Sequence, residues 1–431
     1  MSRLALLLIG RVHFLAACFL LVFSSLSLAE TGSSLTLKQA ISRSLEHHPS
    51  LQVYQLRESV LKAEVETAKL RPPLEAGLDM ENMLGSGDFG GFDASELTVS
   101  LSSVIELGGK RAARQALVSG RAAYLETQRN IDALELLGNV TRHYIELLVV
   151  QAEQVLAKDA VLLAQKSVNA VQQRVLAGAS PEAELFRARA ALAQTTLDAA
   201  QKQRQFEQLR VALSLYWGET KPQFEGVAGS LFDVGKPGDL ESFYQRALKN
   251  PSMLDLVTEK RLRDAELGLA RSGSRRDISW SLGARRFQEP GDMALLAGVS
   301  VPLLSRQRNQ AVVRAAEMRA DEVVLHQEHA SHQLYARLFD AFVQRRAAIE
   351  AKQSLQTQVI PLLELAVQAT GKAYERGRYS YLEWVAAQQE LLAARQSLIQ
   401  FAAFAHAYRV EIEQLTAEPL EAQSDFLEKK D

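Results

Sequence analysis

The sequence predicts a mainly α-helical chain with a small β-barrel portion, built from two copies of one long-hairpin plan. Three observations carry this expectation. The chain repeats itself: "SRSLEHHPSLQVYQLRESVLKAEVETAK" (42–69) aligns with "YQRALKNPSMLDLVTEKRLRDAELGLAR" (244–271), and Pro49-Ser50 precedes Pro251-Ser252 by 202 residues. Good helix formers (Ala, Leu, Gln, Glu, Arg) dominate long stretches with little proline. Each copy also carries two short segments of strict apolar alternation, the period of a sheet with two unlike faces.

At the N-terminus Arg3 and Arg11 precede the apolar run "FLAACFLLVFSSLSLA", with Ser27 and Ala29 where a signal peptidase reads small residues. Residues 1–29 are therefore expected to be a cleaved signal peptide. Leu15-Ala16-Ala17-Cys18 also resembles a lipoprotein box, ranked second because the apolar run continues past Cys18. A retained anchor ranks lower still, since a span needs roughly 20 apolar residues. Cleavage after Ala29 leaves 47 basic and 51 acidic side chains, a charge of 47 − 51 = −4. That balance speaks against a nucleic-acid partner. Cys18 is the only cysteine, so the mature chain has neither disulfide nor Zn–Cys site. Nothing after residue 29 resembles a membrane-spanning helix, so membrane insertion would require a β-barrel.

The expected order is a first repeat (30–217), an equatorial linker (218–239), a second repeat (240–417) and a polar tail (418–431). Each repeat opens with a helix, about 38–71 and 240–275, with His47-His48 expected to end a helix before Pro49. Two strands follow, marked by Leu74, Ala76, Leu78, Met80 and Leu97, Val99, Leu101 in the first repeat. Ile278, Trp280, Leu282 and Leu295, Ala297, Val299, Val301 mark them in the second. A very long helix then runs 110–176 and 308–376, with Ile145, Val149, Ala152 and Leu156 at three- and four-residue steps. After a turn, a return helix covers 182–217 and 380–416.

The lengths are informative. A helix over 110–176 extends about 100 Å, whereas the return helix reaches only about half of that. Stacking the return helix end to end with the next copy's first helix restores the full length. The Gly- and Pro-rich linker "GETKPQFEGVAGSLFDVGKPGD" (218–239) is then the joint at mid-height. Four strands cannot close a barrel, which takes about eight, and their edges need partners. An oligomer in which each chain gives two hairpins to a shared barrel, continued by a helical tube, resolves both demands. Such an object is a conduit.

The two turns "RVLAGASPEAEL" (174–185) and "AYERGRYSYLEW" (373–384) lie 199 residues apart, Gly178 to Gly377, and each carries an acid six residues after its Gly: Glu184 and Glu383. Gly at a chain reversal takes positive φ readily. Glu in the first turn of a helix is also favourable for dipole reasons alone, so a plain solvated hairpin competes with a functional tip.

The duplicated plan, these tips, "ELGGKRAAR" (106–114) and "GVSVPLLSRQRNQ" (298–310) resemble the TolC family of outer-membrane efflux proteins, most of all its heavy-metal branch (Czc- and Cus-like). The resemblance covers nearly all of the mature chain. It implies a homotrimer with a 12-stranded barrel in outer-membrane lipid and a periplasmic α-helical tunnel. It implies docking onto a periplasmic adaptor (membrane fusion) protein fed by an inner-membrane pump of RND type. By the same resemblance, Leu176, Gly178, Ala179, Ser180, Gly377, Tyr379 and Ser380 belong to the adaptor-docking tips. Glu184, Glu383, Tyr374, Arg376 and Arg378 belong to the tunnel constriction, where a ring of acids attracts cations. Two positions depart from the family: Tyr379 stands for the gate arginine and Ala386 for a second acid.

Other signals point nowhere further. "GSGDFGG" (85–91) matches GxGxxG at Gly85, Gly87 and Gly90, but a strand follows where a dinucleotide site needs a helix, so a hairpin loop is expected. His326, His329 and His332 share one helix without enough ligands on one face for a metal. Lys110-Arg111 and Arg306-Arg308 mark the strand-to-helix junctions, where a membrane-surface role competes with solvation. No nucleophile elbow, P-loop or zinc-protease motif occurs, so a passive conduit without cofactor is expected rather than an enzyme. Heavy-metal cations are the expected cargo. A drug-efflux or type I secretion duct, and a soluble periplasmic coiled-coil scaffold, remain as alternatives.

Overall fold

Alternation of small polar and large apolar residues shapes the sheet. Strands β2 (Glu75–Glu81), β3 (Glu96–Ile105), β5 (Ile278–Phe287) and β6 (Met293–Ser300) form one antiparallel sheet in the order β2-β3-β5-β6. The structure is a computed structural model that describes residues 34–289 and 291–418. The expected leader at 1–29, and the expected tail after residue 418, lie outside the described residues. Rungs Ala76–Leu101–Leu282–Ala297 and Leu78–Val99–Ala284–Leu295 put apolar side chains on one face. That face is bare: Leu78 is 71%, Val299 74% and Leu295 90% exposed. The opposite face carries rungs such as Glu75–Ser102–Ser281–Gly298 and Asp79–Thr98–Arg285–Ala294. There Arg285 lies 2.6 Å from Glu96 and 2.8 Å from Glu81, and its Nε donates to Thr98 Oγ1. Polar inside and apolar outside is the pattern of a membrane barrel wall. Among the described residues both outer edges, β2 and β6, are unpaired.

The GxGxxG stretch lies in the β2–β3 loop, with a short 3-10 turn at Gly87–Phe89 and then β3. Among the described residues no helix is long and apolar enough to cross a membrane.

The helix end expected at His47-His48 before Pro49 is present, and the helices depart from the sequence expectation where Pro251 and Pro361 intervene. The first helix of each repeat is two: α1 (Leu37–His47) and α2 (Pro49–Lys69), then α5 (Leu240–Ala247) and α6 (Pro251–Gly273). Pro49 and Pro251 occupy the first helical position, and His48 and Asn250 cap from outside by accepting from the N–H of Ser50 and Ser252. The long helix α3 (Lys110–Leu176) is continuous over 67 residues. Its counterpart is not one regular helix: α7 (Ser305–Ser354) passes through a π turn at Leu355–Val359 into α8 (Ile360–Glu375). Pro361 has no N–H and its ring crowds the carbonyl of Thr357, four residues earlier, so the chain widens there. The return helices are α4 (Glu182–Ser214) and α9 (Tyr381–Thr416).

Near the sheet, α3 runs beside α2 and α6, through Tyr54–Asp132 (2.7 Å) and Gln128–Asp255 (2.8 Å). Toward the far end it runs beside α4 and α9, through Lys202–Glu153 (2.6 Å) and Gln388–Ser167 (3.1 Å). The end-to-end partners differ from expectation. The end of α4 meets α1 of its own copy, with Tyr216 stacked on His48 at 6.0 Å and Arg43 over Trp217 at 5.8 Å. The end of α9 meets α6, where Asn250 Nδ2 donates to the carbonyls of Gln414 and Leu415. Each return helix climbs half the height of its own long helix, so it arrives where its own copy began.

The linker wraps this joint. Val227 in β4 (Gly226–Val227) pairs in parallel with β1 (Ser34–Leu35). The Tyr144 hydroxyl donates to the carbonyls of Leu35 and Ala228. Around them Leu147, Leu213, Trp217, Phe224 and Ala402 form the largest buried cluster. On the other repeat, Arg345 of α7 reaches the carbonyls of Val234 and Pro237.

Candidate functional site: the hairpin tips

Both tips end by the same backbone device. At the end of α3, Gly178 N–H donates to Val175 O (3.0 Å) and Ala179 N–H to Arg174 O (2.8 Å). After α8, Gly377 N–H donates to Tyr374 O (2.9 Å) and Arg378 N–H to Ala373 O (2.8 Å). These paired bonds are the Schellman closure, with Gly178 at φ 70° and Gly377 at φ 74°. A Cβ at Gly178 meets nothing within 4 Å, so Gly178→Ala isolates the backbone effect. It is expected to destabilise by about 1–2 kcal/mol, read as a lowered thermal midpoint by circular dichroism.

The return helices then differ by one residue type. Ser380 caps α9: its Oγ accepts from Glu383 N–H (3.3 Å), and Glu383 Oε2 accepts from Ser380 N–H (2.7 Å) and Oγ–H (2.9 Å). These bonds hold the Glu383 carboxyl below the ordinary glutamate range, so it stays anionic near neutral pH. The cap position of α4 is Pro181, which has no N–H to offer. Glu184, the equivalent third residue, is thereby released from capping and instead accepts from the Tyr374 hydroxyl of the second hairpin (3.2 Å).

Tyr374 is 1% exposed, stacked on Trp384 at 5.3 Å and set edge-on to Tyr381. Burial raises its hydroxyl pKa, and the Glu184 charge adds to that, so the hydroxyl remains a donor. Arg174 completes the cluster. Its guanidinium lies 4.7 Å from the Tyr374 ring centroid, bonds to Tyr374 O, and donates to Ala179 O (3.0 Å) and Ser180 Oγ (3.0 Å). One side chain thus ties both tips together, aided by Gln388–Ser167 and by Arg395, which bridges Asp159 (3.3 Å) and Glu364 (2.8 Å).

The sequence-selected residues therefore divide. Glu184, Tyr374 and Ser180 belong to one bonded cluster. Leu176, Ala179, Gly377, Arg376, Arg378 and Tyr379 lie exposed at the ends of the hairpins. Glu383 and Ser380 form an exposed cap at the start of α9. Arg174, Trp384 and Tyr381 were not singled out in the sequence. Arg174 was the accessible one: it stands two residues before Leu176 inside the quoted tip.

A sheet apolar on one side and with both edges unpaired among the described residues, carrying helical hairpins about 100 Å long, is the architecture of an outer-membrane channel protein. The chain belongs to the outer membrane efflux protein family, which it matches over residues 40–219 and 243–418. It is 29% identical to the cobalt-zinc-cadmium resistance protein CzcC of Cupriavidus metallidurans, over 69% of this chain and 71% of that protein. It is 25% identical to the cation efflux system protein CusC of Escherichia coli K12, over 80% and 79%. A crystal structure of CusC superposes with a TM-score of 0.75 at 20% identity, covering 90% of this chain and 93% of that one. The family resemblance drawn from the tips and junctions holds.

Proposed function

We propose that three copies of this chain close a 12-stranded barrel in the outer membrane and continue as a periplasmic tunnel. The trimer is a passive duct that exports heavy-metal cations delivered by a periplasmic adaptor and an inner-membrane pump of RND type. The observation that carries this reading is the four-stranded sheet: its edges β2 and β6 have no partner among the described residues, and one face is apolar and bare. Pairing β6 of one copy with β2 of the next satisfies every edge and turns the polar face inward. The names of CzcC and CusC support the cargo.

In this reading Glu184 and Glu383 give the constriction six carboxylates per trimer, a cation-attracting ring. Tyr374, Arg376 and Arg378 control its closure. Leu176, Gly178, Ala179, Ser180, Gly377, Tyr379 and Ser380 meet the adaptor. No bond is made or broken in the duct.

Deleting the gene from its host tests the cargo. The deletion is expected to lower tolerance to zinc, cobalt and cadmium salts and to raise cell-associated metal, with restoration by the wild-type chain. Unchanged metal tolerance with a fall in tolerance to organic drugs would replace the metal reading with a drug-efflux duct.

A further inference from the structure

Where the barrel wall gives way to helix, an open cavity of about 750 Å³ is lined by Arg71, Leu74, Lys110, Arg111, Trp280 and one acid, Glu106, among others. Ligand pockets run from roughly 300 to 1,000 Å³. Ser103 pairs with Trp280, Ile105 with Ile278, and Trp280 with Val299, all in register with the bare apolar face. The cavity thus opens on the side that faces lipid, at the helical and therefore periplasmic end. An indole at this depth suits the membrane–water boundary.

The charges around it are unbalanced. Lys110 is held by Asp277 at 2.6 Å, and Arg114 by Glu106. Arg71 and Arg111, both exposed, have no acidic partner among the described residues. The other junctions add Arg275-Arg276, Arg306 and Arg308, while Glu106 and Asp277 are the acids of these connecting segments. In a chain of net charge −2, this is a concentrated positive belt at one level.

We propose that this cavity is a binding site for an anionic phospholipid of the periplasmic leaflet, with Arg71 and Arg111 gripping its phosphate. The inference rests on the barrel reading of the sheet. The acyl chains lie along Leu74, Ile105 and Val299, continuous with the lipid-facing wall. A guanidinium presents paired donors to a phosphate oxygen pair, and basic pockets at a membrane face favour anionic headgroups. Phosphatidylethanolamine offers the same phosphate, but its ammonium cancels the charge, so phosphatidylglycerol is the preferred ligand. Bound there, the lipid fixes the height of the barrel in the membrane at the point where strand becomes helix.

The test is native mass spectrometry of the detergent-purified protein with phosphatidylglycerol, phosphatidylethanolamine or glycerol 3-phosphate at equal concentration. The wild type is expected to retain phosphatidylglycerol several-fold over phosphatidylethanolamine. Arg71→Gln with Arg111→Gln is expected to weaken that retention by on the order of tenfold, whereas Arg71→Lys with Arg111→Lys keeps most of it. Equal retention of the two lipids by the wild type overturns the proposal without any variant. Equal phosphatidylglycerol retention by wild type and the Gln pair, at matching melting curves, also overturns it. Glycerol 3-phosphate bound as firmly as the lipid would assign the cations to free phosphate instead. Failure of the barrel reading is separable, because the protein would then purify from the periplasm without detergent.

Discussion

Arg345→Ala is expected to destabilise the protein by about 2–4 kcal/mol, because it strands the buried Val234 carbonyl at about 1–3 kcal/mol and the part-buried Pro237 carbonyl at the low end of that range. Arg345 is 2% exposed, and its guanidinium donates to Pro237 O (2.7 Å) and Val234 O (3.0 Å) of the linker. Burial, with the nearby Arg409 charge, pushes its pKa down to about 10, so it remains cationic at neutral pH. No other side chain supplies hydrogen bonds to these two linker carbonyls among the described contacts. Arg345→Met restores the apolar stem but not the donors, and is expected to recover only part of the loss. Thermal melting reads the size of the effect, and limited proteolysis reads its place: cleavage within 218–239 should rise. A melting curve within 0.5 kcal/mol of wild type, with a resistant linker, would contradict this role.

The second large effect is a pH dependence centred on His406 of α9. The ring is 4% exposed and its Nε2–H donates to Leu231 O at 2.9 Å. Burial pushes its pKa down to about 4, and the adjacent Arg409 and Arg345 charges add to this against the weaker pull of Asp233. An unfolded histidine takes up its proton near pH 6.5. Between about 6.5 and 4 the unfolded chain therefore holds a proton that the folded chain refuses. Stability falls as pH drops through that window, by up to about 3 kcal/mol, and is flat above it with respect to this group. His406→Gln keeps a donor for Leu231 O and cannot titrate. Followed from pH 7.5 to 4.5, the variant should gain stability relative to wild type as pH falls, whatever its offset at pH 7.5. A constant difference would show that His406 does not carry the dependence.

Much of the architecture was legible because it is local. The bounds of α3 follow from uninterrupted helical periodicity between Gly109 and Gly178, and the strands follow from alternation that one bare face requires. Proline consequences were under-read. Pro251 starts a new helix as Pro49 does, and Pro361 forces the π turn, yet both lie in segments whose apolar spacing continues through them. The pairing of α4 with α1, rather than with the next copy's first helix, needs contacts between Tyr216 and His48 that no periodicity encodes. The Arg345 and His406 anchors likewise join residues more than 100 positions apart.

At the tips, the equivalence of Glu184 and Glu383 was legible as a repeat, but their different engagement turns on one neighbouring residue. Pro181 removes the N–H that Ser380 supplies, so one acid reaches across to Tyr374 while the other caps its own helix. The chemistry was readable; its outcome required knowing that Tyr374 lies within reach. Arg174 was hidden differently. An arginine in the last turn of a helix is ordinary, and only the approach of the second hairpin makes it a clasp.

We propose that the duct is held shut where Arg174 and Glu184 tie the first hairpin to Tyr374 of the second. The direct measurement is single-channel conductance of the detergent-purified protein in a planar bilayer, beside Arg174→Ala with Tyr374→Phe. Each charged hydrogen bond removed is worth about 1.5–3 kcal/mol, enough to shift a closed-to-open balance by tenfold or more. The wild type is expected to show a small, cation-selective conductance that rises several-fold in the variant. A wild type that conducts freely, or a variant that conducts no better while still forming trimers, would contradict it.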